Sequence, residues 1–143
     1  MIFLDTSWLV KLYVDEDDSL AVRKAIGGDA DVVVSDLAYV EFHSAIARRR
    51  RERSLAARTA AALVARFRGD WTGRVRVAIS PDVLHRAADL LNEHALRSAD
   101  AVQLASALLI AAGAPEAPRF GTADGRLVAA ATAEGLIALE PTP

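Results

Sequence analysis

Four acids stand in settings where a carboxylate is out of place. Asp5 follows the apolar run Ile2-Phe3-Leu4, and Asp124 comes just after a short apolar segment, Arg119–Thr122. Glu41 lies inside Ala38-Tyr39-Val40-Glu41-Phe42, and Asp100 inside Ser98-Ala99-Asp100-Ala101-Val102. A carboxylate buried alone in apolar surroundings costs several kcal/mol, so each needs a partner, a cation or water. The nearby bases do not obviously supply one. A divalent cation would, and an all-oxygen ligand set selects hard ions such as Mg2+ or Mn2+. A simpler role is also open to two of them, since Asp5 and Asp124 each stand where they can cap a following helix.

The elements that must position these acids alternate along the chain. Ile2–Leu4 reads as a first strand, and Thr6 and Ser7 open a helix through about Val14. Ser19 opens a second helix, which ends at Gly27-Gly28. Val32–Val34 is β-branched and reads as strand two. Ser35 and Asp36 start a helix whose apolar positions Leu37, Val40, Ala45 and Ala47 follow helical spacing. Ser54 begins an Ala-rich helix to about Gly69. Arg74–Ile79 alternates as strand three, and Ser80-Pro81-Asp82 is a strong helix start. Ser98 caps an apolar helix through Ala112, Arg119–Thr122 is strand four, Asp124–Glu134 a helix, and Leu136–Leu139 strand five. Strands separated by helices imply parallel pairing in an α/β layered fold, whose ligands bind beyond the carboxyl ends of the strands. Asp5 and Asp124 sit at two such ends.

Composition narrows the chemistry. The 143 residues suit one domain, taken as 1–143, and 52% of them are hydrophobic, enough for a core. The absence of cysteine excludes disulfides, a thiolate nucleophile and zinc–thiolate sites. The three histidines, His43, His85 and His94, show no ligand spacing and read as structural or exposed. No apolar run approaches the ~20 residues a membrane-spanning helix needs. The N-terminus lacks a basic region and meets an acid at position 5, so a cytoplasmic protein is expected.

Net charge is −2, but it is unevenly spread. Residues 1–42 carry nine acids against three bases, whereas residues 43–69 carry eight arginines against the single acid Glu52. The arginine block, Arg48 to Arg68, is either the solvated face of a long helix or a surface for RNA or a protein partner. Trp8, Trp71 and Tyr39 have stacking potential for bases but read first as core or interface residues.

The words Ile2-Phe3-Leu4-Asp5-Thr6-Ser7, Glu41 in the helix after Ser35, Leu96-Arg97-Ser98-Ala99-Asp100-Ala101-Val102-Gln103-Leu104-Ala105, and Thr122-Ala123-Asp124 occur in that order at suitable spacings. Together they resemble the PIN-domain ribonucleases, and most closely the VapC-type toxins of toxin–antitoxin pairs, over essentially the whole chain. The resemblance implies a parallel sheet of about five strands in order 3-2-1-4-5. It implies that Asp5, Glu41, Asp100 and Asp124 are catalytic and hold Mg2+ or Mn2+, with Asp5 and Asp100 the foremost direct ligands. Ser7 and Thr122 are candidates to orient a carboxylate or water, or simple caps, and Arg97 to contact a substrate phosphate or to form a surface salt bridge. Gly121 departs from the family pattern, which usually has an apolar side chain before the Thr.

The resemblance further implies an endoribonuclease acting on tRNA, rRNA or mRNA, leaving a 3′-hydroxyl and a 5′-phosphate. Its partners would be a cognate antitoxin and a second copy in a homodimer. A catalytically silent PIN-fold RNA-binding or regulatory module is the alternative. A phosphohydrolase with Asp5 as nucleophile is a third reading, weakened because that class usually places a second acid two residues on, where this chain has Ser7.

Overall fold

The computed structural model describes residues 1–28 and 31–141. Five parallel strands form one sheet: β1 (Ile2–Leu4), β2 (Val32–Ser35), β3 (Val75–Val77), β4 (Arg119–Gly121) and β5 (Ile137–Leu139). Their order is β3-β2-β1-β4-β5, the 3-2-1-4-5 arrangement expected from the sequence. Among the described residues seven helices cover it: α1 (Thr6–Val10), α2 (Ser19–Ile26), α3 (Leu37–Arg51), α4 (Ala57–Trp71), α5 (Pro81–Glu93), α6 (Ser98–Gly113) and α7 (Gly125–Ala133).

The central strand shows why the sheet is layered on both faces. Ile2, Phe3 and Leu4 are all fully buried, so β1 carries no polar alternation. Successive side chains point to opposite faces. Ile2 and Leu4 join Trp8, Val22, Phe42 and Phe67 in a core under α1–α4. Phe3 joins Leu90, Leu104, Phe120 and Leu127 in a second core under α5–α7. Among the aromatic candidates, Trp8 is fully buried, Trp71 is 8% exposed, and Tyr39 packs beside Phe67 and Trp71. All three belong to the core.

Several helix ends differ from the sequence expectation, each for a local reason. The first helix stops at Val10 rather than Val14, because Lys11, Leu12 and Tyr13 donate to carbonyls three residues back and tighten the chain into 3₁₀-type turns. Ser19 is the first residue of α2, not its cap; its hydroxyl donates to the Val14 carbonyl, and the Asp18 carboxylate at the cap position turns to Lys11 instead. The fourth helix begins at Ala57, after a turn in which Arg53 takes φ 58°. Arg97, not Ser98, occupies the cap position of α6.

Gly121 is explained by packing. It pairs with Leu4 across the β1–β4 ladder. A Cβ at this position would lie 2.5 Å from Trp8 Cε3 and 3.0 Å from Leu4 Cδ2. The Trp8 indole, fully buried beneath the strand, therefore fills the space an apolar side chain would take.

Candidate active site

The site is assembled where β1 and β4 run side by side and the sheet order reverses, the crevice in which α/β folds bind ligands. Asp5 leaves β1 with its backbone N–H on the Gly121 carbonyl at 2.9 Å. Its carboxylate caps α1, accepting from Thr6 N at 2.7 Å through Oδ1 and from Ser7 N at 3.4 Å through Oδ2. Oδ2 also accepts from Ser7 Oγ at 2.7 Å and Thr122 Oγ1 at 2.9 Å. Capping and a place in the site are thus the same geometry. Asp5 is only 6% exposed, and burial pushes its pKa up even though all these donors favour the charged form.

Glu41 reaches the same crevice from α3. Its Oε1 accepts from Gln103 Nε2 at 2.7 Å and from Thr6 Oγ1 at 2.9 Å, and Gln103 Nε2 also donates to Thr6 Oγ1 at 3.0 Å. Burial raises the Glu41 pKa; the bonds from Gln103 and Thr6 act against that, and the charges of Asp5 and Asp100 add to it. Asp100 sits in the first turn of α6, where the helix dipole favours an anion. Arg97, at the cap position of α6, places Nε 3.0 Å from Asp100 Oδ2 and Nη2 3.6 Å from Asp124 Oδ2.

Asp124 caps α7, with Oδ1 accepting from Arg126 N at 2.8 Å and Leu127 N at 3.4 Å. Its backbone N–H donates to Thr122 Oγ1 at 3.2 Å, and the neighbouring Ala123 N–H to Ser7 Oγ at 2.9 Å. The loop after β4 is in this way tied to Asp5 through two hydroxyls.

Asp5, Ser7, Glu41, Arg97 and Asp100 line one open cavity of about 350 Å³, together with Thr6, Arg48 and Arg49. Asp124 and Thr122 stand outside its lining, Asp124 joined to it through Arg97 and Thr122 through Asp5. Around the rim, Glu16 is held between Lys11 Nζ at 3.2 Å and Arg49 Nε at 2.9 Å, and these two cations depress its pKa against the effect of burial. Arg48 is exposed and makes no ion pair among the described residues.

The donor set suits a hard cation. Three carboxylates face one cavity, and among the described residues Glu41 Oε2 and Asp100 Oδ1 accept no hydrogen bond. Their oxygens do not close into a tight cage: among the described residues, only Glu93, His94 and Glu134 bring three ligand atoms within 4.8 Å of one another. That spacing agrees with Mg2+, which keeps several of its own waters and binds through one or two carboxylates. The Glu93–His94–Glu134 group is a different object. Arg86 donates to Glu93 at 3.1 Å and also binds Glu134, and His94 Nε2 lies 2.8 Å from Glu134, so the acids already have their counter-charges. His94 is structural, pinning the end of α5 to α7.

Where a phosphohydrolase would place its second acid this chain has Ser7, whose hydroxyl donates to Asp5 Oδ2. Sequence reading passed over Thr6 and Gln103, which hold Glu41. The available signal was a lone amide in an apolar helix, three residues after Asp100 and so on the same face.

The family model described as "PIN domain" matches residues 2–133. The chain belongs to the PIN-domain family. This PIN domain is 33% identical over 111 residues to Ribonuclease VapC45 of Mycobacterium tuberculosis strain CDC 1551, covering 77% of this chain and 76% of the relative. Ribonuclease VapC49 of strain H37Rv matches over the same span with the same identity. Among solved structures, FitAcB from Neisseria gonorrhoeae superposes with a TM-score of 0.69 at 18% identity, covering 99% of this chain and 98% of that one. VapC20 of Mycobacterium tuberculosis, a sarcin-ricin loop cleaving toxin, superposes with a TM-score of 0.66 at 20% identity, covering 96% and 97%. A toxin–antitoxin complex from Klebsiella pneumoniae gives 0.64 at 19% identity, covering 90% and 91%. At these identities the structures share the fold.

Proposed function

We propose that this PIN domain, acting as a single unit over residues 1–143, is a metal-dependent endoribonuclease and the toxin of a toxin–antitoxin pair. The observation that carries the proposal is the convergence of Asp5, Glu41 and Asp100 on one cavity rimmed by Arg48, Arg49 and Arg97. Its relatives named Ribonuclease VapC support the reaction class. Asp5, Glu41 and Asp100 would hold Mg2+ or Mn2+, with Asp124 contributing from the edge. A bound ion of this kind supplies a water of lowered pKa and neutralises charge on the phosphoryl oxygens.

The chain's own residues then do the rest. Ser7 and Thr122 fix the Asp5 carboxylate through hydrogen bonds to Oδ2. Arg97 is 76% exposed on its side chain and free to turn from Asp100 to a substrate phosphate. Arg48, seven residues beyond Glu41 on α3, lies almost in line with it on the helix face and about 10 Å further along. Arg51, one turn beyond Arg48 on the same side of α3 and likewise exposed and without ion pairs among the described residues, extends this cationic face for the RNA backbone. The products are a 3′-hydroxyl and a 5′-phosphate, the physiological partners an antitoxin and a second copy of the chain, and the compartment the cytoplasm.

The test is to induce the chain in its own host and map RNA 5′-ends across the transcriptome, with Asp5→Asn as control. New ends at one or a few sites of a tRNA, rRNA or mRNA, absent with Asp5→Asn, are expected. A soluble, abundant wild-type protein that creates none would be a non-cleaving RNA-binding or regulatory module instead.

A further inference from the structure

Gln103 is fully buried behind the cleft, one turn beyond Asp100 on α6 and next to the buried Leu104 and Ala105. Its amide nitrogen donates to Thr6 Oγ1 at 3.0 Å and to Glu41 Oε1 at 2.7 Å. Thr6 Oγ1 completes the triangle by donating to the same Glu41 oxygen at 2.9 Å. The reversed amide would face the Glu41 carboxylate with its carbonyl oxygen, so this orientation is required. The other end of the amide is costly. Gln103 Oε1 is buried and makes no hydrogen bond among the described residues, which destabilises a fold and which a methionine of similar shape would avoid. Packing alone therefore does not account for a glutamine here; its contact with Glu41 does.

Glu41 needs such a contact. Asp5 and Asp124 are fixed by backbone amides, whereas Glu41 has a longer side chain and is held only by side-chain donors. We propose that Gln103, with Thr6, is a positioning residue: it clamps Glu41 Oε1 so that Oε2 is the oxygen presented to a divalent cation. This rests on the metal-dependent reading above. Outer groups that orient a ligand commonly change metal affinity by about 10–100-fold.

The experiment is calorimetric titration of Mn2+ into the chelator-stripped full chain, without RNA, for wild type, Gln103→Met, Glu41→Gln and the double variant. Melting temperatures without metal are measured alongside. Gln103→Met is expected to weaken Mn2+ binding at least about 10-fold while the metal-free melting temperature holds or rises. Added to Glu41→Gln, it should cost nothing further, because its effect passes through Glu41. Affinity within twofold of wild type, or an equal loss in the Glu41→Gln background, overturns the proposal. If Gln103→Met does not fold, Thr6→Val decides: it removes a donor to the same oxygen, and unchanged Mn2+ affinity would be the contrary result. A wild-type chain that binds no Mn2+ removes the metal-dependent reading itself, and this proposal with it, an outcome distinct from wild-type binding that Gln103→Met leaves intact.

Discussion

Thr122 Oγ1 lies 2.9 Å from Asp5 Oδ2, so a hydroxyl at the end of β4 donates to a carboxylate at the end of β1. The contact exists because the two strands are neighbours in exact-register parallel pairing, Leu4 opposite Gly121, and leave the sheet together. Each of these strands ends in the polar group the other needs. Whatever shifts the β1–β4 ladder therefore shifts the site.

Gly121→Ala tests that coupling. The added methyl would meet Trp8 Cε3 at 2.5 Å, and the indole is fully buried. Overpacking of this kind typically costs about 1–3 kcal/mol. Urea unfolding should show a lower midpoint with an unchanged slope, and Trp8→Phe in the same chain should recover part of the loss by vacating the indole's space. A Gly121→Ala protein as stable as wild type would mean that the strand end has slack.

The strands and the two capping acids were legible in the sequence, because strand runs bounded by polar residues and acids at strand ends are local signals, whereas the sheet order came from the family resemblance. Ser80 caps α5 through Val83 N as expected, but Ser19 gives its hydroxyl to the Val14 carbonyl, Asp18 at the α2 cap position turns to Lys11, and the α6 cap position holds Arg97, which has no acceptor to offer. The acid set was legible as a set of unusual settings, with Ser7 and Thr122 as candidates beside Asp5; the supports of Glu41 were not. Gln103 lies sixty-two residues from Glu41 in the chain, and only the packing of α6 against α3 makes its amide a donor to that carboxylate. The role of Gly121 was hidden for the same reason, since its reason is the Trp8 side chain.

Glu41 should make the metal-free protein less stable as pH rises. Its pKa is raised in the fold, so the native state holds a proton that the unfolded chain releases near pH ~4.3. Its contribution is full below that value and is lost as pH passes through the higher folded pKa. Glu41→Gln, which keeps an oxygen for Thr6 and Gln103, stays neutral throughout. Without metal, the variant should melt with wild type near pH 4 and above it at pH 7.5. Parallel curves at both values would show that Glu41 carries no such penalty.

Arg97 holds the position a cation would share, with Nε 3.0 Å from Asp100 and Nη2 3.6 Å from Asp124. Arg97→Ala removes a positive charge from the mouth of the cleft and frees Asp100 Oδ2. Because the guanidinium is largely exposed, solvent screens it and the effect should be modest. Mn2+ affinity measured by calorimetry at low salt should rise by roughly threefold, shrinking as salt is added. A fall in affinity would instead make Arg97 part of what organises the site.

The arginine face makes the sharpest solution prediction. Arg49 is engaged by Glu16, but Arg48 and Arg51 are exposed and without ion pairs among the described residues, and Arg48 lines the cleft itself. If they neutralise phosphates, each releases counterions from a single strand, and the slope of log affinity against log salt should flatten by about 0.7 per arginine removed. A fluorescent single-stranded RNA of mixed sequence, titrated with the Asp100→Asn chain to prevent turnover, gives the reference slope. Arg48→Ala should weaken binding and flatten the slope, and Arg48→Ala with Arg51→Ala should flatten it about twice as far. Mn2+ affinity should change less than in Arg97→Ala, since neither side chain bonds to Asp5, Glu41 or Asp100 among the described residues. Unaltered RNA slopes would turn this surface over to a protein partner, because eight arginines against one acid between residues 43 and 69 would then answer to an acidic peptide instead of a phosphate chain.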